Sequence, residues 1–157
     1  STKNVGTTFY FALPTEAGED RSAPVPEHHV FTFDRPMAVL LAEDQPMNQM
    51  VAVDTLESLF PGIKVDVANN GQEAVELAAK NTYDIILMDI HMPVMDGFDA
   101  TREIRKGSGA ATPIVALTAN VIKEEVDKCL EAGMNAHVGK PFRAEELKNT
   151  MANLIQA

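Results

Sequence analysis

The sequence has little of what marks secreted or membrane-spanning proteins. Its 157 residues include one cysteine and no tryptophan. The single thiol, Cys129, excludes an internal disulfide and favours a reducing cytoplasm, with Cys129 itself expected as a small core residue on a helix. No apolar run approaches the roughly 20 residues that span a bilayer. The N-terminus also lacks the basic and apolar segments of a signal peptide.

Basic residues are few as well. The chain has 13 Lys and Arg against 23 Asp and Glu, which gives a net charge of −10. This charge argues against direct binding to nucleic acid or to an anionic membrane surface, because both repel an acidic protein. It suits a protein that holds a cation or that meets a neutral or basic partner.

The composition divides the chain into three parts. Residues 6–14, GTTFYFALP, alternate like a single β-strand, and one strand does not fold alone. We therefore interpret residues 1–13 as the tail of an upstream domain, or as an edge strand added to the domain on their C-terminal side. Residues 14–36 are rich in proline and acidic residues without a sustained period, which predicts a linker. Residues 37–157 are predicted to form the folded domain.

Within that domain, short apolar runs alternate with segments of helical period. The first helix is indicated by Met50, Val53, Leu56 and Phe60, and Pro61-Gly62 ends it. Near-continuous apolar strands alternating with helices predict an α/β fold, a doubly wound five-stranded parallel sheet with five helices. The predicted strands are 37–42, 63–68 near a sheet edge, 84–88, 113–118 and 135–140, and the later helices are 71–80, 97–106, 121–132 and one around 147–155.

Polar side chains stand where four of these strands end. They are Glu43-Asp44, Asp89, Thr118 and Lys140, and the carboxyl ends of parallel strands form the functional edge of such a sheet. Crowded carboxylates raise one another's pKa, and a divalent cation with hard oxygen ligands, such as Mg²⁺, compensates their charge. Asp89 is then a candidate nucleophile that forms an acyl phosphate, with Thr118 and Lys140 as contacts for phosphoryl oxygens.

Each of these residues, taken alone, allows a plainer interpretation. Asp89 is typical of a turn or an N-cap, and Glu43-Asp44 and Thr118 are typical of caps for the helices that come after them. Lys140 is typical of an exposed surface lysine. Their coincidence at the ends of four strands favours the site over these alternatives.

Five segments of the chain resemble the receiver domain of two-component signalling. They are LLAEDQPMNQMVA, NGQEAVELA, YDIILMDIHMPVMDGF, TPIVALTAN and MNAHVGKPF. The resemblance runs from Met37 to about Ile155 and implies a flavodoxin-like, receiver-type fold with Asp89 as the phosphoacceptor. It further implies a Mg²⁺ site, with Mn²⁺ as a possible substitute, and slow self-catalysed phosphorylation and hydrolysis.

The same resemblance assigns individual roles. Asp44 looks like the direct metal ligand, Glu43 acts largely through water, and Asp89 and the backbone carbonyl of His91 complete the set. Thr118 and Lys140 look like the phosphate-sensing hydroxyl and its charge partner. His137 stands where the family has a rotating aromatic switch residue. A half-buried histidine without a switching role remains the alternative there.

The N-terminal stretch NVGTTFYFALP resembles the end of a histidine kinase ATP-binding domain. Together with the linker and the receiver, it predicts the C-terminal part of a hybrid histidine kinase whose kinase active site lies outside this chain. The predicted partners are the kinase domain of the same parent and a histidine phosphotransfer protein, which would dock near Met47 and Met50 unless these residues belong to the core. No nucleic acid and no direct membrane contact are expected. The predicted compartment is the cytoplasm, with an inner-membrane anchor as an option for the parent.

Two other functions fit a similar sheet. A Mg²⁺-dependent phosphohydrolase with an aspartate nucleophile typically has a second Asp two residues later, where this chain has His91. A receiver used only as an unphosphorylated interaction module would not need all five site residues. Both alternatives are therefore less favoured than a working phosphoacceptor.

Overall fold

The computed structural model describes residues 36–156. The predicted remnant 1–13 and nearly all of the linker 14–36 lie outside these residues. The elements alternate strictly, with strands β1 (Ala38–Ala42), β2 (Lys64–Ala68), β3 (Ile85–Asp89), β4 (Ile114–Thr118) and β5 (Ala136–Gly139), and helices α1 (Pro46–Leu59), α2 (Gly71–Lys80), α3 (Gly97–Lys106), α4 (Lys123–Ala132) and α5 (Ala144–Ile155).

The five strands form one parallel sheet in the order β2-β1-β3-β4-β5. The register aligns the ends of the central strands, with Ala42 opposite Met88 and Asp89 opposite Leu117. β2 lies at one edge of the sheet, as its half-exposed side chains predict. The carboxyl ends of β1, β3 and β4 therefore meet at a common end of the sheet.

Two separate apolar layers cover the faces of the sheet. Alternate side chains of β1 point to opposite faces, so Leu40 packs in one layer and Leu41 in the other. The Leu40 layer is closed by buried residues of α2, α3 and α4, and the Leu41 layer by buried residues of α1 and α5. The central strands are buried on both sides, which explains why β3 and β4 read as continuous apolar runs. The predicted fold class is confirmed.

Two details of the helices differ from the predictions. Met50 is 60% exposed, because α1 turns Ala52 and Leu56 toward the sheet and Met50 projects from a different side. The core alternative for Met50 is therefore wrong. Helix α4 begins at Lys123, two residues later than predicted, and its N-cap is Ile122, which makes no side-chain cap.

Cys129 is buried in the layer beneath α2, α3 and α4, as expected for a small apolar residue. Burial raises the pKa of its thiol, with a further contribution from the charge of Glu125, so the thiol stays protonated and unreactive. Among residues 36–156, no helix is both long enough and apolar enough to cross a membrane.

Candidate functional site

Three carboxylates converge at the carboxyl ends of two neighbouring strands, β1 and β3. Glu43 and Asp44 come directly after the last residue of β1, and Asp89 is the last residue of β3. Because β1 and β3 are hydrogen-bonded neighbours in parallel register, their ends bring the three side chains together. One carboxylate oxygen from each residue lies within 4.8 Å of the others. Glu43 and Asp89 are buried, and Asp44 is half-buried.

The start of α1 fixes the position of Glu43. Its Oε1 atom accepts hydrogen bonds from the side-chain amide of Asn48 at 3.0 Å and from the backbone N–H of Gln45 at 3.2 Å. The side-chain amide of Gln49 donates to the backbone carbonyl of Glu43 at 2.6 Å. Glu43 contacts the beginning of α1 but does not cap it, because the N-cap residue is Gln45. The cap interpretation of Glu43-Asp44 is therefore wrong.

Lys140 neutralises part of this charge. Its backbone N–H donates to the carbonyl of Thr118 at 2.7 Å, which anchors the residue at the end of β5. Its ammonium group lies 2.5 Å from Oε2 of Glu43 and 2.7 Å from Oδ2 of Asp89. The ammonium spans from β5 to the ends of β1 and β3, so the surface-lysine interpretation is wrong.

Burial and neighbouring charges shift the pKa values of both Asp89 and Lys140. Burial raises the pKa of Asp89, the hydrogen bond and charge of Lys140 lower it, and the nearby charge of Glu43 raises it further, so the net shift is upward. Burial lowers the pKa of Lys140, but the hydrogen bonds and charges of Asp89 and Glu43 outweigh it, so that pKa is raised. Lys140 therefore stays an ammonium ion and still does not compensate the carboxylates fully.

The chemistry of these donors fits a divalent cation. Three carboxylates face one ammonium, which leaves about two negative charges without a counter-charge inside the cluster. Carboxylate oxygens are the donors that Mg²⁺ prefers, usually together with water and phosphate oxygens. The sequence predicted this convergence, and the structure brings Glu43, Asp44, Asp89 and Lys140 together.

Thr118 has a different environment from the one expected. Its hydroxyl lies 2.8 Å from Oε2 of Glu125 on α4, and it accepts a hydrogen bond from the backbone N–H of Asn120 at 3.0 Å. The other carboxylate oxygen of Glu125 lies 3.1 Å from Nε2 of His91. Thr118 is fully buried and does not cap α4, so the cap interpretation of Thr118 is wrong.

Asp89 and His91 also form a local turn. The backbone N–H of His91 donates to Oδ1 of Asp89 at 3.2 Å, so the predicted turn contact exists together with the contacts of the cluster. The ring of His91 is largely exposed. His137 is half-buried on β5 opposite Ala116, and its role as a switch stays a prediction.

Sequence reasoning missed two residues that shape the site. Glu125 contacts His91, 34 positions earlier in the chain, and no local pattern identifies such a partner. Gly97 starts α3 directly under Asp89, and a Cβ atom there would lie 2.2 Å from the backbone oxygen of Asp89. The Asp-Gly pair at 96–97 is a visible signal, but it indicates a turn rather than this close approach.

Comparison with known protein families decides the class of the domain. Residues 39–152 match the response regulator receiver domain family. The chain belongs to this family. The receiver-type fold and the function as a receiver domain, of the kind found in hybrid histidine kinases, are confirmed.

Individual relatives agree with this assignment. The hybrid signal transduction histidine kinase K of Dictyostelium discoideum is 37% identical over 163 residues, which covers 96% of this chain and 13% of that protein. The chain therefore spans about an eighth of the length of that relative. The receiver domain of the sensor histidine kinase PA1611 of Pseudomonas aeruginosa, solved with a magnesium ion coordinated in its active-site cleft, is 43% identical with a TM-score of 0.73. That match covers 78% of this chain and 100% of the other.

A third match comes from a complex. The co-crystal structure of the Saccharomyces cerevisiae histidine phosphotransfer protein Ypd1 with the receiver domain of its response regulator Ssk1 gives 28% identity and a TM-score of 0.70. The match covers 76% of this chain and 88% of the other.

Proposed function

We propose that Asp89 accepts a phosphoryl group from a phosphohistidine. The observation that carries the proposal is the position of its carboxylate, at the end of β3 between the Lys140 ammonium and the carboxylates of Glu43 and Asp44. A carboxylate oxygen of Asp89 attacks phosphorus, the P–N bond breaks, and the electron pair leaves with the imidazole, which takes up a proton. The product is an acyl phosphate on Asp89.

The surrounding side chains supply positioning and charge compensation, which is most of what phosphoryl transfer requires. We propose that Asp44 and Asp89 hold Mg²⁺ directly, with Glu43 acting through water and the backbone carbonyl of His91 as a further ligand. The bound cation would neutralise the carboxylates and the incoming phosphoryl oxygens. Mn²⁺ is expected to substitute, because it accepts the same oxygen donors.

Lys140 and Thr118 would contact the phosphoryl group once it is in place. The ammonium of Lys140, already 2.7 Å from Asp89, pairs with a phosphoryl oxygen. The Thr118 hydroxyl turns toward the phosphoryl group and donates a hydrogen bond. His137, two positions along β5 from Gly139, then takes up the space that Thr118 releases, which reshapes the face formed by α4, β5 and α5.

The parent protein is proposed to be a hybrid histidine kinase. The similarity to kinase K supports this, as does the N-terminal resemblance to a kinase ATP-binding domain. Phosphate would pass from a histidine of the kinase domain in the same parent to Asp89. We place the reaction in the cytoplasm, where a single unpaired thiol is the normal state of a cysteine.

The second partner is a histidine phosphotransfer protein or domain. Helix α1 starts beside Asp44 and exposes Met47, Met50 and Val51, at 70%, 60% and 55%. An apolar surface next to the phosphoacceptor suits an amphipathic helix that carries the receiving histidine. The match to the receiver–Ypd1 complex supports this kind of partner.

Intact-mass measurement after incubation with acetyl phosphate and Mg²⁺ tests the proposal. Wild type should gain one phosphoryl group, lose it slowly after the donor is removed, and gain none when EDTA replaces Mg²⁺. Asp89→Asn should gain none. Asp99→Asn, an exposed aspartate on α3, is the matched control and should behave as wild type. An adduct that persists in Asp89→Asn would overturn the assignment.

A further inference from the structure

Glu125 makes two contacts that the proposed phosphotransfer does not use. The residue lies in the first turn of α4, and its side chain is only 12% exposed. One carboxylate oxygen is 2.8 Å from the hydroxyl of Thr118, and the other is 3.1 Å from the ring of His91. A single anionic group thus joins α4 to the end of β4 and to the loop after β3.

The hydroxyl of Thr118 has only one proton to donate. In this structure its donor faces the Glu125 carboxylate at 2.8 Å, while its oxygen accepts from the N–H of Asn120. The carbonyl of Asn120, at 3.0 Å, is the weaker alternative acceptor because it is neutral. A phosphoryl oxygen on Asp89 would need that same proton. Glu125 and a phosphoryl group are therefore two anions that compete for one donor.

Glu125 also connects the N-terminal end of α4 to the rest of the domain through its contacts with Thr118 and His91. The N-cap residue of α4, Ile122, makes no side-chain hydrogen bond to the first turn, and Val121 and Ile122 are exposed. When Thr118 turns away, the helix loses one of the two contacts that Glu125 makes. Phosphorylation of Asp89 would therefore affect α4 through the loss of one hydrogen bond, the one between Thr118 and Glu125.

We propose that Glu125 is a positioning residue that holds Thr118 in its resting orientation and thereby opposes phosphoryl uptake at Asp89. This inference rests on the proposed phosphoacceptor function. It adds a residue on α4 that sets how readily the site fills and how tightly α4 is held while the site is empty.

The test compares Glu125→Ala with Glu124→Ala. Both substitutions remove one carboxylate from the first turn of α4, so they remove the same favourable interaction with the helix dipole and change the net charge alike. Only Glu125 contacts Thr118. Beryllofluoride with Mg²⁺ serves as the phosphoryl analogue, and its affinity is measured by NMR titration. Glu125→Ala should bind about tenfold more tightly than wild type, equivalent to about 1.4 kcal/mol. Glu124→Ala should stay within about twofold, a difference of about 0.4 kcal/mol.

A double-mutant cycle tests whether Glu125 acts on beryllofluoride binding through the hydroxyl of Thr118. In a Thr118→Val background the hydroxyl is absent, so adding Glu125→Ala should change the affinity little. Glu125→Gln keeps an acceptor oxygen for Thr118 and should tighten binding less than Glu125→Ala. If Glu125→Ala fails to fold, Glu125→Gln gives the same test, with a smaller gain that vanishes in the Thr118→Val background. A gain that survives undiminished in that background would overturn the proposal, because it would show simple charge repulsion.

A second readout needs no phosphoryl group. Three-bond couplings to the Thr118 methyl report its χ1 angle in the unliganded protein. One rotamer is expected in wild type and in Glu124→Ala, and averaging between rotamers in Glu125→Ala. Wild type that does not bind beryllofluoride would remove the proposed function itself. Normal binding with identical affinity and an identical χ1 angle in Glu125→Ala would remove only the role of Glu125.

Discussion

A half-buried basic side chain lies near each end of the parallel strands. At one end it contacts charged carboxylates, and at the other end it contacts neutral oxygens. At the carboxyl ends, Lys140 faces the carboxylates of Glu43 and Asp89. At the amino ends of β4 and β5, Arg105 reaches neutral oxygens at 2.7 to 3.3 Å. These are the backbone carbonyls of Gly109, Ala110, Thr112 and Gly133 and the side-chain amide of Asn135.

The partners of the two basic side chains indicate different roles for the two ends of the sheet. Burial lowers the pKa of Arg105, but a guanidinium stays charged in proteins, and its planar donors suit several fixed carbonyls. Its partners belong to the loops before β4 and β5, so it ties those loops together. Lys140 instead offers a compact charge to two carboxylates, Glu43 and Asp89, which we propose take part in binding a cation and in accepting a phosphoryl group. We therefore treat the arginine end as structural and, on the proposed function, the lysine end as reactive.

The largest predicted effect is at the structural end. Arg105→Ala leaves several partly buried carbonyls without their donor and should cost about 3 kcal/mol of unfolding free energy. Arg105→Lys should recover little, because an ammonium does not span the same carbonyls. Urea unfolding measures both. Arg102→Ala on the same helix breaks only an exposed pair with Asp99 and is the control, with a cost below about 1 kcal/mol. Equal losses for the two alanine variants would refute the structural role of Arg105.

Gly97→Ala tests whether the reactive end is also tightly packed. A Cβ atom at residue 97 would lie 2.2 Å from the backbone oxygen of Asp89, so either β3 or the start of α3 must shift. We expect a loss of about 2 to 3 kcal/mol, as in overpacked cores. We also expect weaker Mg²⁺ binding, because Asp89 moves with its backbone. Gly107→Ala, where the nearest atom is 3.8 Å away, is the control. Unchanged Mg²⁺ affinity in a folded Gly97→Ala would separate packing from function.

Asp89→Asn should raise the free energy of unfolding, whereas Arg105→Ala and Gly97→Ala should lower it. Because the folded state raises the pKa of Asp89 above its ordinary value of 3.8, the folded protein favours the protonated carboxyl. Its stabilising contribution is complete below that ordinary value and is lost as the pH rises through the raised pKa. Without Mg²⁺ at pH 7, removing the charge should therefore raise stability by about 1 kcal/mol, a typical scale for one substitution.

Metal addition completes that experiment. Saturating Mg²⁺ should stabilise wild type, by about 2.7 kcal/mol at one hundred times its dissociation constant. It should stabilise Asp89→Asn much less, so the order of the two proteins reverses between EDTA and Mg²⁺. Thermal unfolding in both buffers measures this. The same order in both buffers would mean that Asp89 does not contribute to the cation site.

The sequence predicted the fold and the converging side chains because their signals are local. Apolar runs locate the strands, and each of Glu43, Asp89 and Lys140 stands at or just after the end of one strand. The contact between Glu125 and Thr118 has no such signal, because it depends on how α4 is seated. The exposure of Met50 was left open for a similar reason, since helical spacing alone does not say which stripe meets the sheet.

The smallest predicted effect concerns two residues with a positive φ angle, one near each end of the sheet. At the amino ends, Gly133 adopts φ +102° at no steric cost, which suits the end of α4. In the loop after Asp89, Val94 adopts φ 69°, where a β-branched residue is strained. Val94→Asn should raise the unfolding free energy by about 0.5 kcal/mol, because asparagine tolerates this conformation and part of the gain is offset in the unfolded chain.

Gly133→Ala is the mirror test and should cost more than Val94→Asn gains. It adds the same kind of backbone strain, and its Cβ would also lie 3.2 Å from Cγ of Arg105. Urea midpoints with unchanged slopes measure both changes. If Val94→Asn raises stability as expected and also slows the phosphorylation of Asp89, the strain in this loop serves the reaction. If both quantities stay unchanged, the loop tolerates Val94 without cost, and the contrast between the two ends is limited to their cations.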